Sequence, residues 1–194
     1  LERLALVVVQ ERERVRGGAL RGDAVPATGL EVARRGEAGD VRRPGGGDGG
    51  LVVGAMSERW AVGVDVEPVD RRELSLELAR AQFAPAEVAI LEALDPEALR
   101  ESLVAVWTGK EAVIKAHGGG LSLPLERFVV PLQAGPVEVG GILPTGSGRW
   151  QLHRLAPDPR HRVALVVAAS PAVPLEVRPL DATARLRQLE LGTR

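Results

Sequence analysis

Hydrophobic positions along the chain change their period twice. The apolar run at 4–9, "LALVVV", predicts a buried strand. Residues 51–57 and 60–69 predict two more strands, the second with valines at alternate positions, and the turn-like residues between them predict a hairpin. The first third of the chain therefore predicts sheet.

Residues 74–117 show a helical period instead. Pro85 and Pro96 divide this stretch into two or three helices, because proline fits the start of a helix and interrupts its interior. The longest piece, about 97–117, carries apolar residues along one face, and the glycines at 118–120 end it.

The rest of the chain returns to strand patterns. Residues 10–50 hold a weak strand candidate at 29–35 and a loop at 42–50, and residues 182–192 predict a short amphipathic helix. Further strands are predicted at 127–130, 137–139, 149–155 and 161–170. The order of strands, helices and strands predicts an α+β fold with antiparallel sheet.

Composition excludes several classes of protein. The 194 residues suit one domain or two small packed halves, and a formal net charge of −1 gives no global field toward nucleic acid or an anionic membrane. The absence of cysteine excludes disulfides and thiolate metal sites. No GxGxxG follows a strand and no GxxxxGK[ST] occurs, so the two common nucleotide-binding loops are missing.

The N-terminal margin has two notable features. The run at 4–9 is too short to span a membrane and lacks a signal peptide's basic start and cleavage site, so we expect a cytoplasmic protein. The chain begins with Leu1 rather than methionine, which indicates a truncated start or an unusual start codon.

Two carboxylates stand at alternate positions in the predicted strand "VGVDVEPV". Side chains two residues apart in a strand project from the same face, so Asp65 and Glu67 form one acidic edge. A solvated strand face would explain this pattern. A site for a hard cation such as Mg²⁺ would also explain it, because Mg²⁺ prefers oxygen ligands.

The long helix carries a second group of charges. Trp107, Glu111 and Lys115 are spaced four apart along one stripe, and Lys110 lies about 100° to its side. A surface ion pair between Glu111 and Lys115 would explain the spacing. However, the chain has 23 arginines and two lysines, and a compact ammonium suits a phosphate oxygen in a tight space.

Three ordered motifs resemble one family. "VGVDVE", "FAPAE" at 83–87 and "WTGKEAVIKAHGGGLSLPLERF" at 107–128 follow the order and spacing of the 4′-phosphopantetheinyl transferases, in particular the larger surfactin-synthetase type. The resemblance covers residues 62–128. It implies two pseudo-twofold-related α+β halves, each a small antiparallel sheet packed with a helix, with the first half short or divergent.

The resemblance implies roles for the matched residues. Asp65, Glu67 and Glu111 would bind Mg²⁺ against the coenzyme A pyrophosphate. Lys115 would contact the pyrophosphate, and Lys110 would position it or the pantetheine arm. Glu111 or a metal-bound water would take the proton from the attacking serine, so Glu111 and Lys115 are the expected catalytic residues.

Two matched residues are expected to support the site. The resemblance implies that Glu87 lies close to the metal region and that Trp107 packs the helix beneath it. It also implies a division of the chain into an N-terminal half at 1–68, a C-terminal half at 69–175 and a tail at 176–194.

The family's reaction follows as an expectation. A holo-[carrier protein] synthase type enzyme would transfer the 4′-phosphopantetheine arm of coenzyme A to a serine of an apo acyl or peptidyl carrier protein and release 3′,5′-ADP. Metal and lysine would stabilise charge on the phosphoryl oxygens. The partners expected are coenzyme A and the carrier domain, without nucleic acid or membrane, and the two-halves architecture implies a monomer.

The first half departs from the family pattern. A Ser-His-Ser type motif usually precedes the "GVDVE" strand, whereas this chain reads "RRPGGGDGGLVV" there and has no histidine before His117. Arg42 and Arg43, together with Arg34 and Arg35, are the basic candidates for coenzyme A binding. The departure motivates one alternative, a non-catalytic relative that binds a carrier domain and has a damaged coenzyme A site. A third reading is another Mg²⁺-dependent nucleotide enzyme.

Overall fold

The computed structural model describes residues 2–10, 51–57, 59–119, 123–138 and 148–181. The strands β1 to β7 span Glu2–Gln10, Leu51–Met56, Val62–Pro68, Gly135–Glu138, Arg149–Leu155, His161–Val167 and Leu175–Asp181. The helices α1 to α3 span Leu76–Gln82, Pro85–Glu92 and Pro96–His117, and a short 3-10 helix spans Leu125–Arg127. This order of strands, helices and strands confirms the predicted α+β fold.

The strands form two sheets. The larger has the order β3-β6-β5-β4 and is antiparallel throughout, as predicted. The smaller has the order β2-β1-β7, in which β1 pairs antiparallel with β2 and parallel with β7. The smaller sheet is therefore mixed rather than antiparallel.

Two strand predictions are wrong. The expected hairpin does not form, because β2 pairs with β1 while β3 pairs with β6 in the other sheet. The segment 127–130 is not a strand: Arg127 ends the 3-10 helix, and the Phe128 and Val130 side chains that follow pack into the core. An apolar run alone does not distinguish a strand from a buried loop.

Strand pairing crosses both predicted domain boundaries. β3 ends at the 68/69 boundary and pairs with β6, which lies in the predicted C-terminal half. β7 contains the 175/176 boundary and pairs with β1. The division at 1–68, 69–175 and 176–194 stays a prediction, as do the helix at 182–192 and the strand at 29–35, which lie outside the described residues.

The larger sheet has a different core on each face. One face packs toward β2 and is formed by alternate residues of β3 and β6. Its buried members are Val62, Val64, Val66, Val163, Leu165 and Val167, which contact Leu51, Val53 and Ala55 of β2. The opposite face packs against the helices through Leu152, Ala164 and Val166, which contact the apolar face of α3. The α3 helix thus covers the face that carries Asp65 and Glu67.

Local sequence signals fix the ends of the helices. Asp95 caps α3 by accepting hydrogen bonds from the backbone N–H groups of Glu97 and Ala98, both at 3.0 Å, and proline follows at the first helical position. Gly118 ends the helix with a φ of 73°, a left-handed conformation that suits glycine. None of the described helices is long and apolar enough to cross a membrane.

Candidate active site

The site begins with an unusually close approach between β3 and α3. A Cβ atom built on Gly63 would lie 2.1 Å from the Ala112 carbonyl oxygen and 2.3 Å from the Ala116 nitrogen. Any larger residue would push the strand away from the helix. Because side chains alternate along β3, Asp65 and Glu67 project from the same face as Gly63, beneath the helix.

Asp65 pairs with Lys115 across this contact. The Lys115 Nζ donates to the Asp65 Oδ1 at 2.7 Å, and the two side chains are 14% and 1% exposed. The second carboxylate oxygen, Oδ2, is buried and has no hydrogen-bond partner. Buried carboxylate oxygens are usually paired, so this atom indicates a place for a further cation or donor.

Glu67 lies beside Asp65 and pairs with Arg71. The Arg71 Nη1 donates to the Glu67 Oε1. Burial and the negative charge of Asp65 raise the pKa of Glu67 to about 7, although Arg71, Lys115 and a side-chain hydrogen bond with Trp107 oppose that rise. The two carboxylates therefore repel each other in a desolvated environment.

Glu111 supplies the third carboxylate, from the helix side. Burial raises its pKa, the charge of Asp65 adds to the rise, and Lys115 and Arg71 oppose it. Glu67 and Glu111 thus both respond to the charge of Asp65. Strand and helix bring together Asp65, Glu67, Glu111 and Lys115, which sequence reasoning had grouped.

The donor chemistry of these residues fits a hard cation. Within the described part of the chain, no three histidine, cysteine or carboxylate side chains are gathered closely enough to hold a metal ion as they stand. Two of the carboxylates form ion pairs instead, Glu67 with Arg71 and Asp65 with Lys115. The unpaired Asp65 Oδ2 and the raised pKa values of Glu67 and Glu111 nevertheless mark a negative site that a divalent cation would stabilise.

Lys110 does not belong to this site. Its side chain is 0% exposed, and its ammonium donates to the backbone carbonyls of Leu125 at 2.8 Å and Phe128 at 2.7 Å. It also contacts the Glu87 Oε2 at 2.7 Å. Three acceptors use its three protons in this arrangement, and the contact between Lys110 and coenzyme A stays a prediction.

Glu87 completes this buried pair. Its Oε1 accepts from the Val130 N–H at 2.7 Å and its Oε2 from the Ala84 N–H at 2.9 Å. The contacts of Glu87 are therefore structural, joining the start of α2 to the segment after the 3-10 helix. The expected position close to the metal region stays a prediction.

Trp107 lies between the two groups of charges, as expected for a residue beneath the site. It is half-buried, its ring centroid lies 6.4 Å from that of Phe83, and the Arg71 guanidinium carbon lies 5.4 Å above it. Its side chain also helps to lower the pKa of Glu67, which places it beside the acidic edge. Trp107 is both a packing residue and a partner of the acidic edge.

Sequence reasoning missed two arginines. Arg71 stands four residues after Glu67 in a run of two arginines, and Arg154 lies on β5. Burial lowers the pKa of Arg154 to about 10, and its guanidinium donates to the carbonyls of Ala105 in α3 and of Pro131. Among 23 arginines, position in the sequence alone does not distinguish these two.

The arginines predicted to contact coenzyme A belong to the first half of the chain. Arg42 and Arg43, with Arg34 and Arg35, lie outside the described residues. Their proposed contact with coenzyme A stays a prediction.

Comparisons with known proteins agree with the motifs. The model of the 4′-phosphopantetheinyl transferase superfamily matches residues 61–167, more than half of the chain. The chain is 34% identical to the 4′-phosphopantetheinyl transferase Sfp of Bacillus subtilis over 130 residues, which are 62% of this chain and 56% of that protein. It is 35% identical to the 4′-phosphopantetheinyl transferase AcpT of Salmonella typhi over 71 residues, 37% of each chain.

These matches are partial in length. The chain spans about half the length of the relatives from Bacillus subtilis, 56% for Sfp and 52% for a second 4′-phosphopantetheinyl transferase. A crystal structure of the holo-[acyl-carrier-protein] synthase of Thermotoga maritima aligns with a TM-score of 0.36 and 22% identity, covering 55% of this chain and 61% of that chain.

Proposed function

Because the chain belongs to the 4′-phosphopantetheinyl transferase superfamily, we propose that it transfers the 4′-phosphopantetheine arm of coenzyme A to a carrier protein. The acceptor is a serine of an apo acyl or peptidyl carrier protein, the reaction depends on Mg²⁺, and 3′,5′-ADP is released. Cytoplasmic location and a monomeric state stay predictions from the sequence.

The buried carboxylate of Asp65 is the observation that carries the proposal. Its Oδ2 has no partner, while Glu67 stands two residues along the same strand and Lys115 holds the other oxygen. A purely structural ion pair would not require three carboxylates whose charges oppose one another in a desolvated place. A phosphoryl-transfer site can use such carboxylates, because it must hold a divalent cation and a phosphate together.

The three carboxylates provide the expected metal site. Asp65, Glu67 and Glu111 would hold Mg²⁺. When bound, Mg²⁺ would supply positive charge that stabilises the phosphoryl oxygens.

Lys115 and Glu111 would act on the reacting groups. The serine oxygen would form a bond to the β-phosphorus of coenzyme A while the bond from that phosphorus to the departing 3′,5′-ADP breaks. Glu111 would take the serine proton. The Lys115 ammonium, at the partly exposed end of the cluster, would turn to a phosphate oxygen and stabilise the developing charge.

A carrier panel tests this proposal directly. The protein is incubated with Mg²⁺, coenzyme A and several apo carrier proteins, and mass spectrometry detects the added phosphopantetheine arm. We expect transfer to at least one carrier and none after chelation of the metal. Absence of transfer to every carrier, from protein shown to be folded, would refute the proposal.

Replacing Glu111 tests the assigned role within the reaction. Glu111→Gln removes both a proton acceptor and a metal ligand, so we expect transfer to fall by about a hundredfold or more, in the range of lost general base catalysis. The unfolding free energy should stay equal or rise, because repulsion with Asp65 is relieved. Glu97→Gln, at an exposed position of the same helix, is the matched control and should keep the full rate.

Titration with coenzyme A separates an inactive enzyme from a non-catalytic relative. Calorimetry with coenzyme A in the presence and absence of Mg²⁺ should show metal-dependent binding. A folded protein that binds a carrier domain but no coenzyme A would instead support the alternative of a carrier-binding relative.

A further inference from the structure

Arg71 occupies the edge of the candidate active site, on the turn between β3 and α1. Its Nη1 donates to the Glu67 Oε1, and its side chain is 17% exposed whereas that of Glu67 is 7% exposed. The turn itself is held by hydrogen bonds from the Arg71 N–H to the Pro68 carbonyl and from the Leu74 N–H to the Arg71 carbonyl, both at 3.3 Å. Arg71 thus sits at the boundary between the buried carboxylate and solvent.

The aromatic face of Trp107 supports the guanidinium. The Arg71 Cζ lies 5.4 Å from the centroid of the Trp107 ring, within the range of a cation–π contact. Its second carboxylate neighbour, Glu73, is 3.9 Å from the Nε and 78% exposed, so that contact is weak. Stacking on Trp107 therefore allows the guanidinium to change its acceptor while its planar body stays in place.

Arg71 acts electrostatically on more than its direct partner. Its positive charge opposes the rise in the pKa of Glu67 and also that of Glu111. Together with Lys115, it places two positive charges beside the three carboxylates. With all five groups ionised, one negative charge remains uncompensated.

A divalent cation would reverse the sign of this cluster. The three carboxylates and the two cationic side chains would then carry one net positive charge, which favours an anion beside them. Glu67 would be engaged by the metal, and the Arg71 guanidinium would lose its acceptor. A forked guanidinium that loses a carboxylate is well matched to phosphate oxygens.

We propose that Arg71 exchanges partners during the reaction: it holds Glu67 while the site lacks a divalent cation, and it binds a phosphate oxygen of the coenzyme A diphosphate once the cation takes Glu67. This inference rests on the function proposed above. Arg71 is then both a competitor for the metal ligand and a specificity contact for the diphosphate.

The exchange predicts two effects of opposite sign in one variant. Arg71→Gln removes the competing charge from Glu67, so we expect the dissociation constant for Mg²⁺ alone to fall about threefold to tenfold. The same change removes a charged phosphate contact, so the dissociation constant for coenzyme A at saturating Mg²⁺ should rise about tenfold. A merely structural role would not move the two constants in opposite directions.

Calorimetry measures both constants without the transfer reaction. Titration of Mg²⁺ into the protein alone gives the first, and titration of coenzyme A into the Mg²⁺-saturated protein gives the second. Arg72→Gln, an exposed arginine at the neighbouring position, is the matched control and should leave both constants unchanged. Arg71→Lys keeps the charge without the fork and should restore Mg²⁺ affinity to the parent value while recovering little of the coenzyme A affinity.

The outcomes separate this inference from the proposed function. Unchanged or weaker Mg²⁺ binding by folded Arg71→Gln, unchanged coenzyme A binding by that variant, or a parent protein that binds no Mg²⁺ would each overturn the exchange. If the parent protein transfers the arm but the variant lacks the opposite shifts, the function stands and the role of Arg71 falls. If the opposite shifts occur and no carrier accepts the arm, the role of Arg71 in binding stands and the proposed transfer function falls.

Discussion

The two lysines of the chain lie five residues apart on α3 and meet different surroundings. Lys115 faces β3, contacts Asp65 and is 14% exposed. Lys110 faces α2 and the segment after the 3-10 helix, and it is fully buried with Glu87. The same helix therefore carries one lysine, Lys115, whose ammonium can change its partner, and another, Lys110, whose ammonium cannot.

The difference lies in how completely each lysine is satisfied. Lys110 has three acceptors for its three protons, and its ammonium also lies 5.5 Å and 4.5 Å from the ring centroids of Phe83 and Phe128. Lys115 has the Asp65 carboxylate, whose other oxygen is left unpaired. An ion pair whose hydrogen-bonding atoms all have partners stabilises the fold, whereas a pair with an unpaired oxygen can still bind a ligand.

Removing Lys110 should have the largest effect on stability. Lys110→Met would leave the Glu87 carboxylate buried without its cation, so we expect the unfolding free energy to fall by about 3–5 kcal/mol. Burial lowers the pKa of Lys110, and the charge of Glu87 opposes that shift by favouring the charged ammonium. Chemical denaturation measures the change.

The double variant Lys110→Met with Glu87→Gln tests whether the pair is the cause. It should recover a substantial part of the loss, because the unpaired charge is gone. Equal destabilisation in the single and double variants would show that Lys110 packing, rather than the ion pair, supports the α2 and α3 contact.

The sequence predicts that the two lysines lie on different faces of the helix, but it does not predict that their contacts differ in kind. Helical spacing placed Lys110 about 100° from the stripe of Glu111 and Lys115, and the structure places it on a different face. The scarcity of lysine predicts a phosphate contact for both lysines. For Lys110 the reason differs: a compact ammonium fits three acceptors between two aromatic rings, where a guanidinium would not.

Gly63 controls the approach on the Lys115 side. Gly63→Ala would place a Cβ 2.1 Å from the Ala112 carbonyl oxygen, so the strand must move away from α3 at a cost of about 1–3 kcal/mol. Because Asp65 lies two residues along the strand, the same movement should weaken its contact with Lys115. We expect lower stability in denaturation and a disproportionate loss of Mg²⁺ binding in calorimetry.

Gly135→Ala provides the matched control for that change. A Cβ on Gly135, in β4, meets no atom within 4 Å. Its unfolding free energy and Mg²⁺ affinity should stay close to those of the parent. If Gly63→Ala lost stability but bound Mg²⁺ normally, the close approach of β3 and α3 would not be needed for the site.

The strand and helix carrying the site were predictable because local pattern determines them. Alternation fixed which face of β3 carries Asp65 and Glu67, and the prolines at 85 and 96 marked the starts of α2 and α3. The partners of β2 were not predictable in the same way. Its pairing with β1 depends on contacts distant in sequence, which override the short turn before β3.

The Arg71 contact shows a second limit of the sequence. Its partner Glu67 is only four residues away, but the turn that joins β3 to α1 determines whether the two side chains meet. Motif spacing identified the carboxylates and left their cationic partners open. The ion pairs depend on burial and packing, so motif spacing alone does not predict which cation contacts each carboxylate.

Lys115→Arg should have the smallest effect on stability. The new side chain keeps its charge beside Asp65 at a partly exposed position, so we expect the unfolding free energy to change by less than about 1 kcal/mol. Transfer should still fall, by about tenfold, because a bulkier planar cation cannot take the position of the compact ammonium at the phosphate.

The matched change on the other face is Lys110→Arg, measured in the same two assays. There the larger guanidinium enters a fully buried space, so the loss should appear in denaturation rather than in the rate of the remaining folded protein. We therefore expect Lys115→Arg to lower mainly the transfer rate and Lys110→Arg to lower mainly the unfolding free energy. If Lys115→Arg destabilised the fold as much as Lys110→Arg, both lysines would be structural, and the phosphate contact would have to come from Arg71 or from the arginines of the first half.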